Sequence, residues 1–216
     1  SLVVVSPGVP WQAPDLAAAR AAGVPVIGEL ELGVRYIRGP VAAITGTKGK
    51  STTTAALGAM LREAGQDVRV GGNIGDALTG LLEGATAETS FVLEVSSFQL
   101  EATDSLHPRV AVFLNLSPDH LDRHASYEEY ASAKARIFAN QTPADFAVVN
   151  ADDPEVMARA RRTRARLVRF GTSGQLEAQF VGSDALLWMG GGVEDVLFSR
   201  DDVKVPGDHI AMDLLA

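Results

Sequence analysis

The sequence contains no cysteine, which excludes a disulfide framework and a zinc site built on thiolates. Basic residues are also in deficit: 19 Lys and Arg stand against 27 Asp and Glu, for a net charge of −8. Nonspecific nucleic-acid binding needs clustered positive charge to displace counterions, so we expect no nucleic-acid partner. No apolar run approaches the roughly 18 residues that cross a bilayer, so we expect no membrane partner and a cytoplasmic location.

Short β-branched runs alternate with alanine-rich helical stretches along most of the 216 residues, of which 46% are hydrophobic. This alternation predicts an α/β fold with a mostly parallel sheet and helices on both faces. The predicted strands are 2–5, 24–27, 41–45, 68–70, 90–95, 110–114 and 146–150, and the clearest predicted helices are 14–22, 51–64 and 126–140.

The character of the sequence changes near each end. Glycine-rich, alternating segments within 175–205 predict a small antiparallel hairpin region appended to the sheet. Arg38-Gly39-Pro40 resembles a short linker. We therefore expect 1–38 to be the end of a preceding domain and 39–216 to form a second, main domain.

A glycine-rich loop between a predicted strand and a predicted helix is typical of a phosphate site. Its glycines allow backbone N–H groups to turn toward an anion. Lys50 would supply positive charge to the β- and γ-phosphates, and Ser51 an oxygen ligand for Mg²⁺. The longer form of this pattern has glycine at position 44, where Ile44 stands, and the alternative is a structural turn with an exposed lysine. The loop is Gly46-Thr47-Lys48-Gly49-Lys50-Ser51-Thr52.

Lys134 is out of place on the predicted helix 126–140. At 100° per residue it falls in the middle of the apolar face, with Tyr130 and Ile137 among its neighbours on the wheel. No acidic residue lies three or four positions away to pair with it. The lysine must therefore extend to solvent, pair with a distant charge or be chemically modified.

Polar residues lie at or just after the ends of three further predicted strands, and in a parallel sheet the loops after strand ends form the ligand crevice. His120 is either a metal ligand or base, or a structural or exposed histidine. Glu94 is either a Mg²⁺ ligand or a helix-capping acid. Asn73 lies in a glycine-rich turn, which it could occupy for conformational reasons alone.

Together these segments resemble the Mur ligase superfamily, the ATP-dependent amide ligases of peptidoglycan precursor synthesis. The resemblance extends over nearly the whole chain in the same order, and the stretch Glu94–Leu100 points to the D-glutamate-adding branch. The matching segments are 6–8, 46–54, 71–75, 94–101, 115–123, 133–137 and 150–153.

The resemblance implies a role for each matching residue. The loop from Gly46 to Thr52 would bind ATP, and the catalytic residues would be Lys50, His120 and Lys134. One Mg²⁺ would be held by Ser51 and Glu94, and a second by His120 and a carbamate formed from CO₂ on Lys134. The small-molecule substrate UDP-N-acetylmuramoyl-L-alanine would contact Ser6, Asn73, Ser96 and Gln99.

The resemblance also implies what the chain is part of. The protein would be a monomer that joins D-glutamate to the muramoyl-alanine substrate through an acyl phosphate. Residues 1–38 would be the end of a domain that binds the uridine substrate, and 39–216 would be the central ATP-binding domain. A missing C-terminal domain would leave the 216 residues inactive alone. Ile210 and Asp213 replace two asparagines of the family pattern, so no adenine contact is assigned to them. The alternatives are another Mur or folylpolyglutamate-type ligase, or a nonenzymatic nucleotide-binding module.

Overall fold

The computed structural model describes residues 1–172, 176–181, 184–189, 192–203 and 208–216. Within these ranges the strands are β1 (Val3–Val5), β2 (Val26–Gly28), β3 (Val41–Thr45), β4 (Val68–Gly72), β5 (Ser90–Glu94), β6 (Val110–Phe113), β7 (Phe146–Asn150), β8 (Arg166–Gly171), β9 (Ala178–Val181), β10 (Asp184–Met189) and β11 (Gly192–Ser199). The α-helices are α1 (Pro14–Ala21), α2 (Glu29–Val34), α3 (Lys50–Glu63), α4 (Ser97–Glu101), α5 (Tyr127–Ala135), α6 (Pro154–Ala160) and α7 (Asp208–Leu215). Short 3₁₀ helices cover Leu78–Leu81, Arg136–Phe138 and Arg200–Asp202.

Two sheets organise these elements. A nine-stranded sheet has the order β11-β10-β9-β8-β7-β6-β3-β5-β4, parallel from β4 to β9 and antiparallel across β9, β10 and β11. A separate parallel pair joins β1 to β2. The predicted α/β class, the parallel sheet and the antiparallel region are therefore confirmed. Of the segment predicted to contain hairpins, 175, 182–183, 190–191 and 204–205 lie outside the described residues.

The core lies on both faces of the large sheet, because its central strands are apolar at successive positions. In β3, Ala43 contributes to one buried cluster and Ile44 to the other. Helices α2, α4, α5 and α6 contribute to the first cluster, and α3 and α7 pack on the opposite face. Burial on both faces explains why these strands read as continuous apolar runs instead of alternating ones.

The predicted helix 126–140 is confirmed in position but ends earlier as an α-helix. Ser126 caps α5 by accepting a hydrogen bond from the Glu129 N–H. After Ala135 the chain tightens into the 3₁₀ turn Arg136–Phe138. Within the described part of the chain, no helix is both long and apolar enough to cross a membrane.

The order of the large sheet brings particular strand ends together. β3 is hydrogen-bonded to β5 on one side and to β6 on the other, all parallel. The register pairs Ile44 with Glu94 and Thr45 with Phe113, so the three strands end at the same level. The chain crosses from one side of β3 to the other between β5 and β6, which is where open α/β sheets form their ligand crevice.

A carboxylate at the opposite end of the sheet carries a stability prediction. Asp145 is buried and accepts hydrogen bonds from the Thr142 N–H at 2.7 Å, the Thr142 hydroxyl at 2.8 Å and the His107 ring at 2.8 Å. Burial by itself raises the pKa of the Asp145 carboxyl, but the hydrogen bonds from His107 and Thr142 outweigh it and hold that pKa well below its usual range. Asp145→Asn should lower the free energy of unfolding in urea by about 2–4 kcal/mol at pH 7.

The pH dependence of this loss follows from the lowered pKa. Because the folded-state pKa lies below the unfolded value of about 3.9, the stabilisation is complete above that value and is lost as the pH falls through the folded pKa. The difference between wild type and Asp145→Asn should therefore shrink as the pH falls below about pH 4. Asp104→Asn is the matched control, because the Asp104 side chain is 90% exposed in its pair with Arg136 and should change stability by under about 1 kcal/mol. Equal losses in the two variants would contradict this assignment.

Candidate active site

The loop between β3 and α3 has the backbone of an anion cradle. Gly49 precedes the helix with a φ of 84°, in the left-handed region that favours glycine. This conformation favours glycine, and a Cβ at this position would also force the Asp213 carboxylate to move. Among the described residues no side chain caps α3, and its first turn carries no acidic residue. The N–H groups of that turn are therefore available to an anion, and the helix dipole favours one.

Asn115, two residues after the end of β6, holds the phosphate loop in shape. Its side-chain oxygen accepts hydrogen bonds from the N–H groups of Thr47 at 3.1 Å and Lys48 at 2.8 Å. Its amide nitrogen donates to the Lys48 carbonyl at 3.0 Å. The Lys50 ammonium folds back over the same loop and donates to the Thr47 carbonyl at 3.0 Å. The loop is thus preorganised from a neighbouring strand and carries its own positive charge.

Glu94, at the end of β5, is buried beside the start of α3. One carboxylate oxygen accepts a hydrogen bond from the Ser51 hydroxyl at 2.6 Å, and the other accepts one from the Asn73 amide at 2.8 Å. The predicted metal ligands Ser51 and Glu94 are therefore adjacent. Their hard oxygens fit Mg²⁺, which proteins commonly hold by one or two carboxylates together with substrate phosphates.

Lys134 is buried, with 2% of its surface exposed, so it does not extend to solvent. Its ammonium donates to the carbonyl of Gly46 in the phosphate loop at 2.7 Å and lies 4.8 Å from the centre of the Tyr130 ring. It forms no ion pair with any residue that the structure describes. The sequence left three possibilities for Lys134: extension to solvent, pairing with a distant charge, or chemical modification. Burial excludes extension to solvent, and the amine faces the phosphate loop.

The pKa of the Lys134 amine is lowered to about 7. Burial is the largest cause, because it disfavours the charged form, and the positive charge of Lys50 acts in the same direction. The carboxylates of Asp119 and Glu94 oppose this shift. A substantial fraction of the amine is therefore neutral near pH 7 and able to act as a nucleophile.

His120 lies in the loop after β6, at the edge of this group. Its side chain is 50% exposed, with the ring nitrogen Nε2 3.7 Å from the Asp119 carboxylate. Its ring centre lies 5.2 Å from that of Phe98 and 6.4 Å from that of Tyr130. The Tyr130 hydroxyl is in turn 3.0 Å from the Thr47 hydroxyl in the phosphate loop. His120 is therefore connected to the same cleft through Tyr130.

The predicted substrate residues divide into two groups. Asn73 is bonded to Glu94 at the metal side. Ser96 and Gln99 form the capping box of α4, with the Ser96 N–H donating to the Gln99 side chain at 3.0 Å. Ser6 and Gln99 line one small cleft between β1 and α4, which Phe98 and Arg123 also line. The structure thus places Asn73 beside Glu94 and places Ser6 and Gln99 along a separate cleft, while the contacts of these residues with substrate stay predictions.

The described residues supply few ligands for the predicted metal ions. Among the described residues, no three His, Cys, Asp or Glu side chains are arranged to hold a metal ion by themselves. A Mg²⁺ ion held by Ser51 and Glu94 would therefore need nucleotide phosphates or water to complete its shell.

Residues 44–216 match the family described as the Mur ligase middle domain. The chain belongs to this family. The Mur ligase middle-domain match begins one residue before the end of β3 and so contains the phosphate loop, Glu94, His120 and Lys134. The resemblance to the Mur ligases that the sequence predicted is thereby confirmed.

Curated relatives of this Mur ligase chain match it over its whole length. The chain is 44% identical to a UDP-N-acetylmuramoylalanine–D-glutamate ligase of Pelotomaculum thermopropionicum and 47% identical to one of Pelobacter propionicus. Each match covers 100% of this chain and 48% of the relative. The chain therefore spans about half the length of the curated relatives it matches.

Solved structures share the Mur ligase fold at lower identity. A UDP-N-acetylmuramoyl-L-alanyl-D-glutamate–2,6-diaminopimelate ligase superposes with a TM-score of 0.67 at 22% identity, covering 100% of this chain and 55% of that one. A MurF ligase from Thermotoga maritima in complex with ADP superposes with a TM-score of 0.62 at 17% identity, covering 100% and 58%. These likenesses bear on the fold alone.

Sequence reasoning assigned no role to three residues of this Mur ligase site. Asn115 forms hydrogen bonds with the backbone of the phosphate loop. Tyr130 has its hydroxyl beside the Thr47 hydroxyl of that loop and its ring beside Lys134 and His120. Asp213 in α7 faces Gly49, and its backbone carbonyl accepts a hydrogen bond from the Thr53 hydroxyl at 3.1 Å. Burial raises the pKa of Asp213, against the opposing effect of His209. Only Asn115 had a usable signal, as a polar amide directly after a core strand.

Proposed function

We propose that this chain is the nucleotide-binding part of an ATP-dependent ligase that joins D-glutamate to UDP-N-acetylmuramoyl-L-alanine in peptidoglycan precursor synthesis. The observation that carries the choice of acceptor is the match of the whole chain, at 41–47% identity, to relatives named as D-glutamate ligases. The geometry independently supports ATP chemistry, because a phosphate cradle, a lysine and a pair of Mg²⁺-type oxygens share one cleft. In this proposal 39–216 form the ATP domain, and 1–38 belong to a domain for the uridine substrate.

The reaction would proceed in two steps. The substrate carboxylate attacks the γ-phosphorus of ATP, a P–O bond forms, and the bond to ADP breaks to leave an acyl phosphate. The amine of D-glutamate then attacks the acyl carbon, losing a proton as inorganic phosphate departs. Lys50 and the N–H groups at the start of α3 would orient the phosphates and stabilise the charge that moves between them.

The Mg²⁺ ions would be held by Ser51 and Glu94, and by His120 with a carbamate on Lys134. When bound, Mg²⁺ offsets phosphate charge and polarises the γ-phosphoryl group. To form the carbamate, the neutral Lys134 amine adds to CO₂, making an N–C bond and releasing one proton to solvent. The product keeps one N–H, which can still donate to the Gly46 carbonyl, and its two oxygens are the ligand type that Mg²⁺ prefers.

An acceptor panel tests this function. The full-length gene product is supplied with Mg·ATP, UDP-N-acetylmuramoyl-L-alanine and, separately, D-glutamate, L-glutamate, L-alanine or diaminopimelate, and ADP release and the new amide are measured. We expect turnover with D-glutamate only, and no amide formation by the 216-residue chain alone.

Other outcomes would replace the proposal. Turnover of a muramyl-peptide or folate substrate with a different acceptor would favour another ligase of the superfamily. Nucleotide binding without turnover of any pair would favour a nonenzymatic nucleotide-binding module.

A further inference from the structure

The loop from Ser117 to Ser126 has one buried residue. Every side chain from Ser117 to Arg123 is exposed, as are Ala125 and Ser126, whereas His124 is 3% exposed. A long exposed loop gains little from burial to offset the entropy of ordering its backbone. Ser117 and Ala125 hold the ends of the loop through hydrogen bonds to Thr47 and Glu129, and Arg123 lies 4.4 Å over the Phe98 ring. His124 is the one residue of the loop that anchors it by burial.

His124 contacts three residues on two helices of the site, α4 and α5. Its ring nitrogen Nε2 lies 3.0 Å from the hydroxyl of Ser97, the buried first residue of α4. Its ring stacks on Phe98, with centres 5.1 Å apart and planes 9° apart. It also meets the Tyr130 ring edge-on at 5.4 Å. One side chain thus connects the loop to the helix after β5 and to the helix that carries Lys134.

The backbone of His124 connects this anchor to His120. The N–H groups of Arg123 and His124 donate to the His120 carbonyl at 3.0 and 3.1 Å. These bonds close a turn in which His120 has a φ of 52°, a left-handed conformation that is costly for a residue other than glycine. Such a conformation persists only where surrounding contacts fix it. The His120 ring contacts Phe98 at the start of the turn, and the His124 ring supplies the buried contacts at its end.

We propose that His124 is a positioning residue: through Ser97, Phe98 and Tyr130 it fixes the turn that presents His120 to the nucleotide cleft. The consequence for catalysis rests on the proposed ligase function, in which His120 binds metal. The anchoring itself does not depend on that function.

Two variants separate the hydrogen bond from the ring packing. Ser97→Ala removes the partner hydroxyl and leaves the His124 ring in place, and His124→Phe keeps an aromatic ring but loses the hydrogen bond. In the full-length enzyme each should lower kcat by about 10- to 100-fold, because small displacements of a reacting constellation have effects of this size. KM for ATP should change less than about twofold, since Asn115 holds the phosphate loop independently. The double variant should lose no more than the worse single variant, because both remove one interaction.

A second readout does not require activity. Trypsin cleaves after Arg123, an exposed basic residue of this loop, and its rate on the native protein reports how often the loop opens. Ser97→Ala does not change the residues on either side of the Arg123–His124 peptide bond that trypsin cleaves. We expect this bond to be cleaved at least about tenfold faster than in wild type, as measured by mass spectrometry of the fragments. Ser132→Ala, on the outer face of α5, is the matched hydroxyl control and should cleave at the wild-type rate.

The kinetic measurements and the cleavage rates together distinguish failure of the positioning role from failure of the proposed function. Unchanged cleavage and unchanged kcat in Ser97→Ala and His124→Phe would overturn the positioning role. Faster cleavage in a protein that ligates no substrate would uphold the anchor and reject the proposed function. A lower melting temperature with unchanged kcat per folded enzyme would reduce His124 to a purely structural role and also overturn the proposal.

Discussion

Lys50→Ala is expected to reduce kcat/KM for ATP-dependent ligation by at least about 10²- to 10³-fold, the range found when one preorganised charge-stabilising donor is removed. The Lys50 ammonium lies over the phosphate loop at 3.0 Å from the Thr47 carbonyl, where it would meet the β- and γ-phosphates. Charge develops there as the phosphoryl group transfers, so the loss should fall on kcat as well as on KM. Coupled measurement of ADP release in the full-length protein checks the result.

Arg62→Ala provides the matched control for this prediction. Arg62 is an exposed basic residue in the last turn of α3, so its removal deletes one positive charge from the same helix at the end away from the loop. We expect kcat/KM to stay within about twofold of wild type, because surface charge far from the site is screened by salt. Equal losses in the two variants, or wild-type activity in Lys50→Ala, would contradict a phosphate role for the loop.

Lys134→Ala and Lys134→Arg are both expected to lower kcat by at least about 10²-fold, and the pair separates two roles for this position. Arginine keeps a positive charge but cannot form the carbamate, so a role as a cation would leave Lys134→Arg partly active. A metal-binding carbamate predicts that both variants fail and that bicarbonate restores neither. A small carboxylic acid such as acetate or propionate should partly restore Lys134→Ala by supplying the missing oxygens. Wild-type-like activity in Lys134→Ala would remove the role.

The lowered pKa of Lys134 adds a pH dependence to this prediction. Because only the neutral amine reacts with CO₂, enzyme stripped of CO₂ should regain activity, at a fixed concentration of dissolved CO₂, faster at pH 8 than at pH 6, with a midpoint near the lowered pKa of about 7. An ordinary exposed lysine, with a pKa near 10.4, would still be gaining rate well above pH 8. Recovery rates measured from pH 6 to 9 distinguish the two cases.

The central fold was predictable because local signals and burial agree there. The strands predicted at 41–45 and 146–150 coincide with β3 and β7, since each is a run of core residues bounded by a glycine, proline or polar turn. Lys134 was predicted to lie on the buried face because helical periodicity alone places it there. The end of α5 was missed: the chain tightens there into a 3₁₀ turn at Arg136, whose guanidinium donates to the distant Leu100 and Thr103 carbonyls.

The contacts that complete the site could not be predicted from local sequence. The acceptor for Lys134 is the Gly46 carbonyl, 88 positions away, and Asn115 clasps residues 67 and 68 positions away. Such pairings depend on the order of strands in the sheet, which sequence periodicity does not encode. The burial of His124 within an otherwise exposed loop is of the same kind, because it requires the positions of α4 and α5.

A crystal structure with a nonhydrolysable ATP analogue and Mn²⁺ in place of Mg²⁺ tests most directly whether these strand ends serve one nucleotide. Anomalous scattering from Mn²⁺ should show a metal beside Ser51 and Glu94, with the β- and γ-phosphates against the first turn of α3 and the Lys50 ammonium. Phosphates bound away from 46–52, or manganese only at sites remote from Glu94, would contradict the account.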